Sequence, residues 1–142
     1  ILCYYPSIGY EIQSRRERIG GGLKKILVID EDTSLLKAYQ EMFRPKEILV
    51  VGAVSGQEGL QKVEEEKPDV ILLDVMLPSG MNGFDVLEQL KKNPDSRTIP
   101  VFMLTNLDSE EKVAKTIGAK GYIIKANTTK DEIVKLVMDC LK

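Results

Sequence analysis

Five polar residues of this chain stand at or beside the ends of short apolar runs, and together they suggest one chemistry. Asp30 and Glu31 follow Ile26–Ile29, Asp74 follows Val70–Leu73, Thr105 follows Val101–Leu104, and Lys125 follows Gly121–Ile124. Singly, each has a plain structural explanation. An Asp or Thr after a strand commonly caps the next helix, and a single lysine is usually a solvated surface group. As a set they are harder to explain that way. Clustered carboxylates raise the cost of each other's ionisation, and a hard cation between them relieves it. Magnesium takes oxygen ligands, usually one or two carboxylates with waters and phosphate oxygens. A lysine and a hydroxyl opposite would complete a phosphoryl site. A carboxylate can itself be the nucleophile, giving an acyl phosphate. The expected chemistry is Mg2+-dependent phosphoryl transfer onto an aspartate, with Asp74 the central candidate.

Composition removes most alternatives. The 142 residues include no histidine, so a Ser-His-Asp triad, a Cys-His dyad, a His-ligated zinc site and a phosphohistidine carrier are all excluded. Cys3 and Cys140 lie near opposite ends without a C-x-x-C pair, which points to a reducing compartment rather than a disulfide framework. Basic and acidic residues number 20 and 22, a net charge of −2, which gives no electrostatic footprint for nucleic acid. No apolar run is long enough to span a bilayer, and the first residues lack the plan of a signal peptide, so a cytoplasmic location is expected.

The elements that must position these residues are readable from periodicity. Lys25–Ile29, Ile48–Val51, Val70–Leu73, Val101–Leu104 and Gly121–Ile124 read as five short buried strands. Amphipathic helices are expected between and after them. One carries Leu35, Leu36, Tyr39, Met42 and Phe43 and stops at Pro45, and a second is opened by the capping box Ser55-x-x-Glu58. Asn82 and Asp108 are expected to cap the third and fourth, and Thr129-x-x-Glu132 the last. Strict alternation predicts an α/β fold, a doubly wound five-stranded parallel sheet with five helices in a three-layer sandwich. A strand order 2-1-3-4-5 would place Asp30 and Asp74 side by side at the carboxyl ends, where such sheets bind ligands.

Residues 1–22 differ from the rest, with three tyrosines, three arginines and a closing Gly20-Gly21-Gly22. They read as an N-terminal extension or linker, as non-native residues, or as translated upstream sequence ahead of a natural start at Leu23. The third is the favoured expectation.

Residues 23–142 resemble the receiver domain of two-component response regulators. The resemblance rests on Lys25-Ile-Leu-Val-Ile-Asp30-Glu31-Asp32, Pro68-Asp-Val-Ile-Leu-Leu-Asp74-Val-Met-Leu-Pro78, Ile99-Pro-Val-Phe-Met-Leu-Thr105 and Gly118-Ala-Lys-Gly-Tyr122-Ile-Ile-Lys125. It implies that Asp74 is the phosphoacceptor and that Asp30, Glu31, Asp74 and the backbone carbonyl of Met76 hold Mg2+. It implies that Thr105 binds a phosphoryl oxygen, that Thr105 and Tyr122 form the switch, and that Lys125 pairs first with Asp74 and then with the phosphoryl group. The donor would be a phosphohistidine on a histidine kinase or phosphotransfer protein. The downstream partner would read the face of the last two helices and fifth strand, and a homodimer is left open. The chain would be a bacterial signalling domain rather than an enzyme, standing alone or apart from its output partner, with no contact to nucleic acid or membrane. Ala126 stands where the family usually has a cis proline, so a trans, differently shaped loop is expected there. Asn106 stands where a small residue is common, and the loop Pro78–Gly83 is one residue longer than usual. Met76 and Leu107 occupy positions that tune acyl-phosphate lifetime.

Two rival readings remain at this stage. A receiver-shaped module could act without phosphorylation. Alternatively, Val28-Ile-Asp30-Glu-Asp32 resembles the opening of haloacid-dehalogenase-like phosphatases, with Asp30 as nucleophile and the second Asp as acid/base. That family also needs an acidic cluster after the lysine, and only Asp131 and Asp139 follow here.

Overall fold

The computed structural model describes residues 23–78, 80–106 and 110–141. The segment 1–22, the cap expected of Asp108 and the Leu107 position lie outside the described residues.

Strands β1 (Lys25–Ile29), β2 (Leu49–Ala53), β3 (Val70–Asp74), β4 (Val101–Thr105) and β5 (Gly121–Ile124) form one parallel sheet in the order β2-β1-β3-β4-β5. Helices α1 (Thr33–Phe43), α2 (Gly56–Glu66), α3 (Gly83–Lys92), α4 (Glu111–Ile117) and α5 (Lys130–Cys140) alternate with them, joined by short 3-10 turns at Arg44–Lys46 and Lys125–Asn127. All five residues of β1, β3 and β4 are buried, which is why these strands read as continuous apolar runs.

Alternation along each strand divides the core in two. Ile26, Val28, Val70, Leu72, Phe102 and Leu104 pack with Tyr39 and Phe43 of α1 and with Ile133 and Val137 of α5. Leu27, Ile29, Ile71, Leu73, Val101 and Met103 pack with Val63 of α2, with Val86, Leu87 and Leu90 of α3, and with Ala114 of α4. Each fully buried aliphatic side chain contributes about 1.5–3 kcal/mol, so both faces of the central strands are needed. The three-layer arrangement follows.

The caps behave as the sequence suggests where they are described. Ser55 Oγ accepts from Glu58 N–H at 3.2 Å, Thr129 Oγ1 accepts from Glu132 N–H at 3.1 Å, and Asn82 and Asp85 form a reciprocal capping box. Some boundaries differ from expectation: β3 and β4 each run one residue further, to Asp74 and Thr105. β2 begins at Leu49 and runs on through Gly52 and Ala53, because its pairing with β1 continues to Ile29↔Ala53. Gly52 is required by the close passage of α1: a Cβ there would lie 2.1 Å from Leu36 Cδ2. Pro45 does not stop the chain's turning but sits inside a 3-10 turn after Phe43, at a position where a missing N–H costs nothing. Ahead of Pro68, Lys67 ends α2 in the left-handed region at φ 47°, since a residue before proline is disfavoured in the right-handed helix.

Candidate functional site

The carboxyl edge of the sheet gathers the residues that follow β1, β3, β4 and β5. Asp30 leaves β1 with its N–H donating to Ala53 O at 2.9 Å, and only 3% of its surface is exposed. Its two oxygens are both used: Oδ1 accepts from Asp32 N–H at 2.9 Å and Oδ2 from Lys125 Nζ at 2.8 Å. Asp74 is the last residue of β3. Its Oδ1 accepts from Met76 N–H at 3.1 Å and its Oδ2 from Lys125 Nζ at 3.2 Å. One ammonium thus joins two carboxylates whose positions are set by adjacent strands, β1 and β3. The turn that presents Lys125 is held by Thr128 Oγ1, which donates to Ile124 O at 2.9 Å. As expected for Ala126, no cis peptide occurs among the described residues, and the chain there forms the Lys125–Asn127 turn.

The electrostatics follow from one positive and two negative charges in a half-dry rim. Burial pushes the Asp74 carboxyl above its ordinary value, against the lowering effects of the Met76 N–H and the Lys125 charge. Burial alone would pull the Lys125 ammonium down, but the hydrogen bond to Asp30 and the charges of both acids outweigh it and leave it raised. An acid that is costly to ionise beside a lysine that stays charged is a site short of positive charge.

The other expected residues fall around this pair. Thr105 closes β4 with 1% exposure, paired in register with Ile124 just before Lys125, while Asp74 is paired with Leu104. Glu31 is exposed beside Asp30, and Met76 is 63% exposed at the mouth of the site. Among the described residues no three acidic side chains stand close enough to form a metal cluster, so Glu31 is not drawn in beside Asp30 and Asp74. Asp32 is turned away: it caps α1, accepting from Ser34 N–H, Ser34 Oγ and Leu35 N–H, and the Ser34 hydroxyl foremost holds its carboxyl below the ordinary value. Tyr122 is half-buried against the cluster that contains Met103, Ala114 and Ile117. It thus shares the sheet face of Met103, which by alternation is also the face of Thr105.

Asp30 and Asp74 alone give a carboxylate pair short of positive charge, which suits a cation that keeps several of its waters; Glu31, exposed beside Asp30, would have to turn inward to join it. Such an ion would balance the two carboxylates while Lys125 stays free to move.

One contributor could not be seen in sequence. Gly83 opens α3, donates its N–H to Val75 O at 2.8 Å, and lies so close to the end of β3 that a Cβ would stand 2.2 Å from Asp74 O. Asn82-Gly83 reads locally as a helix cap; only the tertiary approach shows that it also braces the peptide carrying Asp74. A cavity of about 580 Å³ lined by Val63, Lys67, Pro68, Asn93, Ser96 and Ile99 lies at the opposite, amino edge of the sheet, away from this chemistry.

A family model described as the response regulator receiver domain matches residues 26–138. Protein PilH of Pseudomonas aeruginosa is 34% identical over 105 residues, covering 72% of this chain and 86% of PilH. The alkaline phosphatase synthesis transcriptional regulatory protein PhoP of Bacillus subtilis is 40% identical over 104 residues, covering 72% of this chain but 42% of PhoP. The chain therefore spans most of one curated relative and less than half of another. Among solved structures, chemotaxis protein CheY4 of Vibrio cholerae superposes with a TM-score of 0.75 at 26% identity, covering 84% of this chain and 99% of CheY4. A CheY-like receiver domain protein from Methanospirillum hungatei gives a TM-score of 0.75 at 28% identity, covering 83% of this chain and 93% of that protein.

Proposed function

Since the chain belongs to the response regulator receiver domain family of two-component systems, we propose that it accepts a phosphoryl group on Asp74. The observation that supports this most is the single Lys125 ammonium shared by Asp30 and Asp74 at the switch point of the sheet. An Asp74 oxygen attacks the phosphorus of a phosphohistidine on a partner protein. The phosphorus–nitrogen bond breaks, and the imidazole leaves with the bonding pair and takes up a proton. These 142 residues include no histidine, so the donor imidazole lies outside them.

Asp30, Glu31, Asp74 and the Met76 carbonyl would hold Mg2+, which when bound neutralises charge on the phosphoryl oxygens. Lys125 moves from the acid pair toward the new phosphoryl oxygens, and Thr105 donates its hydroxyl to one of them. Tyr122, on the same face as Thr105, follows that movement and changes the surface of α4, β5 and α5 read by a downstream protein. In this reading the domain is a signalling switch that at most catalyses its own phosphorylation and dephosphorylation. The engagement of Asp32 as a helix cap leaves the phosphatase reading through Asp30 without its acid/base partner.

Acetyl phosphate with Mg2+ tests the assignment. Wild type and Asp30→Asn are expected to differ in labelling rate, with Asp74→Asn taking no label. Turnover of phosphate esters that survives Asp74→Asn but not Asp30→Asn would overturn the assignment in favour of the phosphatase reading.

A further inference from the structure

From the end of β5, Lys125 must reach Asp30 and Asp74 at once, 2.8 Å and 3.2 Å away. That strand is a weak anchor. It is four residues long, stands at the edge of the sheet, and buries only Ile123 fully. Past it the chain makes the short Lys125–Asn127 turn, and Thr129 then caps α5. Ala126 and Asn127 are both exposed. Ala126 also lacks the ring by which a proline would fix its own φ. The root of the lysine therefore needs a restraint from elsewhere.

Thr128 supplies one. Its hydroxyl reaches back four residues and donates to Ile124 O at 2.9 Å. That carbonyl belongs to the peptide that joins Ile124 to Lys125, and a peptide is a rigid plane. Holding its oxygen sets the direction in which the Lys125 side chain leaves the backbone. Threonine hydroxyls within helices also bond a carbonyl four residues back, for local reasons. Thr128 is not helical: it is extended, at φ −119° and ψ 125°. Its bond spans the whole turn and ends on the peptide that carries the lysine.

We propose that Thr128 is a positioning residue of the phosphoryl site: its hydroxyl pins the Ile124–Lys125 peptide, so that the Lys125 ammonium swings between the acid pair and a phosphoryl group on Asp74 from a fixed root. The role rests on the reading of Asp74 as phosphoacceptor, and two measurements separate them. Reacting groups must be held to within about 10–20°, and an error of about 1 Å can cost about a hundredfold in rate. Thr128→Val keeps the branched shape, which suits an extended backbone, and removes the hydroxyl. Thr128→Ser keeps the hydroxyl. Per folded molecule, Thr128→Val should label from acetyl phosphate and Mg2+ about tenfold more slowly than wild type, and Thr128→Ser should recover most of that loss. A folded Thr128→Val protein that labels at the wild-type rate would overturn the role. So would a Thr128→Ser protein as slow as Thr128→Val.

The second measurement needs no phosphoryl group. Urea unfolding of wild type, Thr128→Val, Lys125→Met and the double variant makes a double-mutant cycle. If Thr128 acts through Lys125, loss of the hydroxyl loosens the lysine from its two acids. The factor by which Lys125→Met raises the unfolding constant should then be at least about threefold smaller in the Thr128→Val background. An equal factor in both backgrounds means that the hydroxyl only closes a turn, and overturns the proposal. Absence of label on wild-type Asp74 would sink the phosphoacceptor reading and the effect on labelling, leaving the cycle to decide whether Thr128 positions Lys125.

Discussion

Replacing Lys125 by methionine probes the electrostatic centre of the fold and the site at once. The substitution keeps a flexible stem and removes the ammonium that lies 2.8 Å from Asp30 Oδ2 and 3.2 Å from Asp74 Oδ2. It leaves two carboxylates, with side chains 2% and 10% exposed, without their shared counter-charge. Removing one member of a buried ion pair costs about 3–5 kcal/mol. Lys125 is itself 23% exposed, and each acid keeps a backbone N–H donor, from Asp32 and Met76. The expected loss at pH 7 is therefore nearer 2–3 kcal/mol, after discounting for solvent screening.

The pH dependence has a definite sign. Burial already raises Asp74 above its ordinary value. A raised acid contributes stability that is full below the unfolded carboxylate range and is lost as pH rises through the folded value. Without Lys125 the raising grows, so the deficit of the variant is largest at neutral pH and shrinks on acidification toward about pH 4. The raised Lys125 keeps its charge throughout this window, so the dependence belongs to Asp74. Urea unfolding of wild type and Lys125→Met at pH 7 and about pH 5 measures both quantities. A variant within about 0.5 kcal/mol of wild type at pH 7, the usual spread of surface substitutions, would refute the reasoning. So would a deficit that widens as pH falls.

Further tests address the brace and the opposite edge of the sheet. Gly83→Ala forces a methyl group against the Asp74 carbonyl; it should destabilise by at least about 2 kcal/mol, seen in urea, and slow labelling of the protein that remains folded. Asn82→Ala removes the capping-box acceptor of Asp85 N–H; it should cost about 1 kcal/mol in the same assay and leave labelling per folded molecule unchanged. Glu66→Ala strips the partner from Lys25, a pair 2.9 Å apart with side chains 5% and 7% exposed. It should cost about 3 kcal/mol while Asp74 labels normally, since the pair lies at the amino edge of the sheet.

The fold was legible because its strands are buried on both faces and its turns carry strong local chemistry. Lys25–Ile29 and Gly121–Ile124 coincide with the observed strands, and Ser55, Asn82 and Thr129 cap where expected. The limits of β2 were less clear, since Gly52 and Ala53 have weak strand preference and enter the sheet through pairing with Val28 and Ile29. For the site, one-dimensional logic sufficed to bring Asp30, Asp74 and Lys125 to one edge. It could not show how the charges divide. The sequence presents Asp30, Glu31 and Asp32 as equivalent neighbours, but a period-two strand end and a helix start point them differently: Asp30 inward, Asp32 to the helix N-terminus, Glu31 to solvent. Gly83 escaped for the same reason, because a glycine after Asn is locally ordinary. Its significance lies in its close approach to the end of β3.

The most direct test of the central claim is to map the site of phosphoryl incorporation. The full chain is incubated with acetyl phosphate and Mg2+, quenched, and digested for tandem mass spectrometry. The account expects one phosphoryl group per chain, carried by the peptide containing Asp74 and labile as an acyl phosphate, with none on Asp74→Asn. A label on Asp30 or on any hydroxyl residue, or no label on a folded wild-type chain, would contradict it.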